Sequence, residues 1–217
     1  MNAWCAIAFV VAGVFGVGDW IAKARHDRRL ELVCKPLTLV ALIAAAIALH
    51  PAADAHARRG WFVAALVLSL AGDVLLMLDD EHRDLFVPGL AAFLVAHLCY
   101  LGGFWTEPPA GWAFVVAVIV VVVFVGPFAA RILGALRRDE PRLRAPVGAY
   151  IVVIAAMVAT ALATGNAAAA VGAVLFASSD TMIAWNRFVH PFRAAEVAIM
   201  VTYHVGQALL VLSLLAA

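Results

Sequence analysis

Two aspartates, Asp73 and Asp180, lie inside long apolar stretches of this sequence of 217 residues. An ionisable side chain is costly to bury in hydrocarbon, so each carboxylate is a candidate for function. Two carboxylates in a site of low dielectric do not both ionise easily, so one would hold a proton while the other stays charged. Such a pair could serve as the acid and the base of a hydrolytic reaction.

A structural role is the alternative for both aspartates. Asp73 would pair with Lys35, and Asp180 with Arg187, in buried ion pairs that hold helices together. Asp180 and Arg187 are seven residues apart, so they could meet only through extended side chains. Asp19 lies near the end of another apolar stretch, which favours a role at the membrane boundary.

Two further sets of polar and aromatic residues recur at helical spacing. The first has spacings of four, four and three residues and consists of Gly89, Phe93, His97 and Tyr100. The second has spacings of four, three and four residues and consists of Glu196, Met200, Tyr203 and Gln207. Residues at these spacings share one face of a helix. Because each face carries an ionisable side chain, we interpret the two as walls of a cavity; for His97, a plain interhelical hydrogen bond is the alternative.

Several kinds of catalytic site have no motif in this chain. It contains no H-E-x-x-H pattern, no cysteine pair at metal-binding spacing and no G-x-S-x-G pattern. Ser178 and Ser179 precede Asp180, but no histidine lies at a local spacing that would activate them. We therefore expect neither a metal nor another cofactor. The alternative is a zinc site assembled in three dimensions from His97, His204, Asp73 and Asp180.

The elements that must position these residues are membrane helices. Hydrophobic residues make up 66% of the chain and charged residues 13%, and the mean hydropathy is +1.01, which excludes an ordinary water-soluble domain. The near-neutral net charge excludes a nucleic-acid-binding surface. Eight apolar segments approach the roughly 20 residues of a membrane span, at about 3–22, 32–49, 61–78, 85–104, 111–130, 146–164, 167–185 and 195–215. We predict an all-α, polytopic membrane protein that forms one domain over residues 1–217.

Basic residues are distributed unevenly between the loops. Twelve lysines and arginines lie in or beside the first, third, fifth and seventh loops, whereas only Arg58 and Arg59 lie on the other side. Loops rich in basic residues stay in the cytoplasm. We therefore predict that both termini lie outside the cytoplasm and that the chain is a multi-pass protein of a bacterial cytoplasmic membrane.

An internal repeat is a further hypothesis. A shift of 107 residues aligns Asp73 with Asp180, which suggests two parallel halves, residues 1–107 and 108–217. In such a repeat the third and seventh spans would face one another. Their aspartates would then meet at a similar depth in the membrane.

Short motifs follow one another in a characteristic order from the second to the eighth segment. They are Lys35-Pro36, Gly72-Asp73, the face that contains His97, Ser179-Asp180 followed by Arg187-Phe188, and Tyr203-x3-Gln207. Together they resemble the YhhN family of membrane lysoplasmalogenases. The resemblance implies cleavage of the vinyl-ether bond of a lysoplasmalogen, which gives a fatty aldehyde and a glycerophospho head group and requires no cofactor.

Each candidate residue then receives a role in that reaction. Asp73 and Asp180 would be the acid and the base, in an order that stays open. Lys35 and Arg187, with the neighbouring Asn186, would bind the head group of a lysophospholipid that enters sideways from the cytoplasmic leaflet. The remaining polar side chains would position the ether oxygen, the glycerol hydroxyl and water; they are His97, Tyr100, Tyr203 and Gln207. A proton-coupled transporter and a zinc-dependent lipid hydrolase are the alternatives.

Overall fold

A computed structural model describes residues 2–49, 56–79 and 82–215. Within these ranges eight α-helices follow one another: α1 (Ala3–Arg25), α2 (Arg28–Ala48), α3 (His56–Met77), α4 (Phe86–Phe104), α5 (Gly111–Asp139), α6 (Arg144–Ala163), α7 (Ala167–Phe188) and α8 (Ala195–Leu212). Short 3-10 helices at Pro141–Leu143 and Ser213–Leu215 precede α6 and follow α8. All eight of these described α-helices, α6 and α8 together with their short extensions, are long and apolar enough to cross a membrane. This confirms the predicted all-α, polytopic class.

Local sequence signals determine where the helices begin and end. The carboxylate of Asp27 accepts hydrogen bonds of 3.1 Å from two backbone N–H groups in the first turn of α2, so this helix begins before its apolar segment does. Between α6 and α7, Gly165 has a φ of 71°, and the side chain of Asn166 caps α7. Helix α5 continues to Asp139, beyond its predicted end, because hydropathy marks the apolar part of a helix and not its polar last turns.

Helices that follow one another in the chain form pairs. Helix α1 packs on α2, α3 on α4, α5 on α6, and α7 on α8. Helix α8 connects three of these pairs, since besides α7 it contacts α1, α2 and α3. The main neighbours of α3 are α2, α4 and α8, and those of α7 are α5, α6 and α8, so the third and seventh spans are not packed face to face. The internal repeat itself stays a prediction.

Glycines allow α7 and α8 to approach closely. A Cβ atom on Gly172 would lie 2.9 Å from the carbonyl oxygen of Gly206 and 2.9 Å from the backbone nitrogen of Leu210. Small residues at such a crossing let two membrane helices pack backbone to backbone. By contrast, α5 leaves most of its apolar surface exposed, as expected for a helix that faces lipid.

One end of the bundle, here called the arginine-rich end, carries most of the basic residues. Helices α1, α3, α5 and α7 end there, and α2, α4, α6 and α8 begin there. A small apolar cluster lies at this end and consists of Phe86, Ile132, Leu136, Leu143 and Val147. That this end lies in the cytoplasm stays a prediction.

Candidate active site

Asp180 of α7 lies between side chains from two other helices. The hydroxyl of Tyr150, on α6, donates a hydrogen bond of 2.7 Å to Oδ2 of Asp180. Nε2 of His97, on α4, lies 3.4 Å from the same oxygen. The packing of three helices therefore brings together one carboxyl, one phenol and one imidazole.

The hydrogen bonds of His97 determine which of its nitrogens carries a proton. Nδ1 lies 2.7 Å from the carbonyl oxygen of Phe93, and a carbonyl only accepts, so Nδ1 is protonated. In the neutral ring Nε2 then presents a lone pair to Asp180, and Nε2 has no hydrogen-bond partner in the described part of the chain. A proton held between Nε2 and the carboxyl group would satisfy both atoms. This geometry allows His97 and Asp180 to exchange a proton.

Asp180 and Tyr150 line an apolar groove between α4, α5, α6 and α7. The groove contains about 760 Å³ of unfilled space, including the part that is open to the outside. Its walls are apolar except for these two residues and Thr181, and they include Leu90, Phe93, Phe128 and Ile154. Apolar walls with a few polar side chains are suited to an apolar ligand.

The groove extends to the arginine-rich end of the bundle. Phe86 and Phe188 line it there, and Cζ of Arg187 lies 3.6 Å from the centre of the Phe86 ring. Arg187 is exposed, and no ion pair joins it to Asp180 within the described ranges. The ion pair considered as the alternative for Asp180 is therefore not formed.

Asp73 of α3 is buried in a second polar cluster. Its Oδ1 lies 3.1 Å from Nζ of Lys35, on α2, and its Oδ2 accepts a hydrogen bond of 2.7 Å from the hydroxyl of Tyr203, on α8. Only 1% of Asp73 and 6% of Lys35 is exposed. The ion pair considered as the alternative for Asp73 is therefore formed. Lys35 is not among the residues that line the groove.

This second cluster continues around Gln207, four residues beyond Tyr203 on α8. The amide oxygen of Gln207 accepts a hydrogen bond from the hydroxyl of Tyr100, and its amide nitrogen donates to Oγ of Ser69 at 3.1 Å. These side chains are buried. The structure thus brings together the predicted residues Tyr100, Tyr203 and Gln207. They lie in the cluster that contains Asp73 and do not line the groove.

Two phenylalanines separate the two polar clusters. The ring of Tyr203 lies 6.0 Å from that of Phe93 and 5.3 Å from that of Phe176, while the ring of His97 lies 4.5 Å from that of Phe176. No hydrogen bond joins the two carboxylates in the part of the chain that the structure covers. The aspartates therefore do not form the direct pair that the repeat hypothesis predicted.

Comparison with known proteins shows the family of this chain. The model of the YhhN family matches residues 30–214. The chain belongs to the YhhN family. This YhhN protein is 37% identical to human lysoplasmalogenase TMEM86B over 151 residues, which are 70% of this chain and 62% of the relative. It is 37% identical to a lysoplasmalogenase of Mycobacterium tuberculosis over 180 residues, 80% of this chain and 66% of the relative.

The rat lysoplasmalogenase TMEM86B is 31% identical over 217 residues, which cover 99% of this chain and 85% of the relative. The matches to the human and mycobacterial relatives span less than two thirds of those proteins. No solved structure matches this YhhN protein. The family membership predicted from the short motifs is confirmed.

Asp19 of this YhhN protein lies inside the bundle and not on its outer surface. It is fully buried, and neither of its oxygens has a hydrogen-bond partner among the described residues. Nε2 of His204 lies 4.0 Å from Oδ2 of Asp19, while Nδ1 of the same ring accepts a hydrogen bond of 3.2 Å from the indole of Trp20. His204 thus faces Asp19, whereas His97 faces Asp180.

The residues considered for zinc do not converge, and no group of three or more such ligands occurs within the described ranges.

Two other candidates have local roles outside the groove. Asn186 accepts a hydrogen bond of 3.1 Å from the backbone N–H of Phe192 and so stabilises the loop between α7 and α8. Glu196 lies 3.5 Å from Nζ of Lys23, and 56% of its side chain is exposed. On the polar face of α8, Glu196 is therefore exposed, whereas Met200, Tyr203 and Gln207 are buried.

Tyr150 is the site residue that sequence reasoning missed, because it belongs to neither polar face. The chain contains only three tyrosines, against twelve phenylalanines. The hydroxyls of all three, Tyr100, Tyr150 and Tyr203, donate hydrogen bonds inside the two clusters. The scarcity of tyrosine was the available signal, since a buried hydroxyl requires a partner.

Proposed function

We propose that this YhhN protein hydrolyses the vinyl-ether bond of lysoplasmalogens and releases a fatty aldehyde and a glycerophospho head group. One observation carries the proposal: the carboxyl group of Asp180, with its tyrosine and histidine partners, lies in the wall of an otherwise apolar groove. The names of the human and mycobacterial relatives, both lysoplasmalogenases, support it. The groove would hold the hydrocarbon chain and place the ether bond beside Asp180.

Hydrolysis of a vinyl ether begins with protonation of the β-carbon of the double bond. The ether oxygen stabilises the resulting cation, water adds to the α-carbon and loses a proton, and the hemiacetal breaks into an aldehyde and an alcohol. One carboxyl group can donate the first proton and recover the proton that water releases, so one water and no net proton is consumed. We assign this role to Asp180, because Asp73 does not line the groove.

The two oxygens of Asp180 have different surroundings. Oδ2 faces both Tyr150 and His97. Oδ1 lies 3.4 Å from the hydroxyl of Ser179, but the single proton of that hydroxyl is donated to the carbonyl oxygen of Phe176 at 2.7 Å. Oδ1 is thus left as the oxygen that would face the substrate, and a proton that Oδ2 shares with Nε2 of His97 would have to move to Oδ1 before its transfer. Tyr150 would hold the carboxyl group in position through Oδ2.

His97 and Asp73 would support this reaction in different ways. The lone pair on Nε2 of His97 faces Asp180 and not the groove, so it could hold the proton that Asp180 recovers from water and return it to Asp180 before the next turnover. Asp73 would act as a positioning residue, because its hydrogen bond holds the ring of Tyr203 against Phe93, and Phe93 is a wall of the groove.

We further propose that the protein lies in the cytoplasmic membrane of a bacterium with its arginine-rich end in the cytoplasm. The support is the distribution of the loop charges, twelve basic residues against two. A single-chain lipid of the cytoplasmic leaflet would then reach the groove laterally between the helices.

Purified protein incubated with a lysoplasmalogen and with its saturated ether analogue tests the proposed activity. We expect aldehyde from the first lipid and none from the second, because only a vinyl ether is protonated at carbon. Asp180→Asn should lower the rate about 10²–10⁴-fold, the usual contribution of a general acid. Asp139→Asn is the matched control, since Asp139 is exposed at the end of α5 and its replacement should leave the rate unchanged.

Absence of aldehyde from the vinyl ether would contradict the proposed function. An Asp180→Asn variant as active as the Asp139→Asn control would contradict the assignment of the acid. Solute uptake driven by a pH gradient, without any product, would favour the transporter alternative. Loss of aldehyde release on chelation would favour the zinc-dependent alternative.

A further inference from the structure

Two arginines at the arginine-rich end are stacked on aromatic rings beside the groove. Cζ of Arg187, on α7, lies 3.6 Å from the centre of the Phe86 ring. Cζ of Arg131, on α5, lies 5.9 Å from the centre of the Trp185 ring, which packs at 5.8 Å against Phe128. Phe86 and Phe128 both line the groove. Among the described residues these are the only two arginines that stack on rings.

The N–H groups of these two guanidinium groups form no hydrogen bond or ion pair within the described part of the chain. Both side chains are exposed, and neither has a carboxylate or hydrogen-bond partner within the described ranges. By contrast, Arg58 donates to Glu107 at 3.1 Å, and Arg28 lies 3.5 Å from Glu31. A ring beneath a guanidinium group keeps its plane in one orientation and leaves its N–H edge free. That edge matches two oxygens of a phosphate.

The two arginines stand beside walls of the groove that come from different helices. Arg187 stacks on Phe86, a groove wall of α4. Arg131 stacks on Trp185, and Trp185 packs against Phe128, a groove wall of α5. One guanidinium group is therefore associated with each of these two walls.

The spacing along α7 suits a glycerophospholipid. Arg187 follows Asp180 by seven residues, a rise of about 10 Å along the helix. In a lysoplasmalogen seven bonds separate the β-carbon of the vinyl ether from phosphorus, about 8 Å at the roughly 3.5 Å per three bonds of an extended chain. A lipid with its β-carbon beside Asp180 would therefore bring its phosphate to the level of Arg187.

We propose that Arg131 and Arg187 form a phosphate-binding pair that recognises the phosphodiester of a single-chain lipid. This inference rests on the proposed function for the identity of the bond that is cleaved. It adds the residues that select a phosphate-bearing substrate over a neutral one. The phosphates of anionic lipids in the surrounding membrane have the same chemistry, so the experiment must separate these two sources.

Two substrates of equal chain length test the pair: a lysoplasmalogen with a phosphocholine head group and a 1-alkenylglycerol without phosphate. For Arg131→Gln and for Arg187→Gln we expect the KM of the first substrate to rise about tenfold or more, as for the loss of a charge-assisted hydrogen bond. The KM of the neutral substrate should stay unchanged. Arg137→Gln is the matched control, because Arg137 is exposed on the last turn of α5 and stacks on no ring among the described residues.

Equal rises in KM for both substrates would overturn the proposal, as would a rise no larger than that in Arg137→Gln. The assay is repeated in neutral detergent micelles with and without an anionic phospholipid. An effect that persists without the anionic lipid supports recognition of the substrate. A rise in KM that occurs only with the anionic phospholipid would mean that the two arginines bind the membrane surface, and it would overturn the proposed pair.

Failure of the proposed function would give a different result. If the unmodified protein releases no aldehyde from either substrate, the pair is tested by binding of the saturated ether analogue, which carries the same phosphodiester. Trp185, which contacts Arg131, allows this binding to be followed by fluorescence. We expect the Kd to rise about tenfold or more in Arg131→Gln and Arg187→Gln. An unchanged Kd would overturn the pair.

Discussion

Replacing Lys35 by methionine removes the cation from the buried pair with Asp73 and keeps an unbranched side chain of similar length. Only 1% of Asp73 is exposed, so water does not replace the missing charge. The hydrogen bond from Tyr203 remains the one close partner of that carboxylate in the described part of the chain. The substitution therefore measures what the ion pair contributes to stability.

The size of the effect follows from the geometry of this pair. Unit charges 3.1 Å apart attract by about 5 kcal/mol at an effective dielectric constant of about 20. Removal of one partner from a buried pair in other proteins costs about 3–5 kcal/mol, because the remaining charge is left uncompensated. At roughly 2–4 °C per kcal/mol for a chain of this length, the Tm should fall by about 6–20 °C. The double variant K35M/D73N removes both charges and should recover most of this loss.

The three cysteines provide the assay. Cys5, Cys34 and Cys99 are unpaired, and 0%, 5% and 8% of their respective surfaces are exposed. A thiol-reactive fluorescent dye therefore labels them only as the bundle unfolds, and its signal reports the Tm in detergent. Arg29→Met is the matched control, because Arg29 lies exposed on the same helix.

A K35M variant that melts together with Arg29→Met would refute this reasoning. So would a double variant that melts no higher than K35M alone. Either result would mean that Asp73 does not depend on Lys35 for compensation of its charge.

Two further predictions concern the groove and the helix contact behind it. Tyr150→Phe removes the 2.7 Å hydrogen bond to Asp180 and should lower kcat about 10–100-fold with little change in KM or Tm; a kcat equal to that of the unmodified protein would contradict the positioning role. Gly172→Ala should lower the Tm by several degrees, because the new Cβ would lie 2.9 Å from the α8 backbone and force the two helices apart. Gly126→Ala, with no atom within 4 Å of its Cβ, is the control for that series, and equal melting of the two variants would contradict the close contact.

The amino-acid sequence by itself determined the eight spans and the positions of the main candidates. In a bilayer each apolar segment must satisfy its own backbone hydrogen bonds, so composition and length alone lead to helices. The cost of an ionisable group in hydrocarbon likewise singles out Asp73, Asp180 and His97 without any knowledge of their neighbours. The position of each residue along its helix, and the face that it shares, follow from local spacing.

Only the tertiary structure decided which of these groups meet. Spacing within one helix defines a common face, but it does not say which other helix packs against that face. Tyr203 reaches Asp73 across 130 residues of sequence, and Tyr150 joins Asp180 from a helix whose own pattern is apolar. The rotation of each helix against its neighbours leaves Asp73 enclosed with Lys35 and turns Asp180 toward the groove. These rotations depend on contacts between distant segments, such as the approach of α7 to α8, so no local pattern contains them.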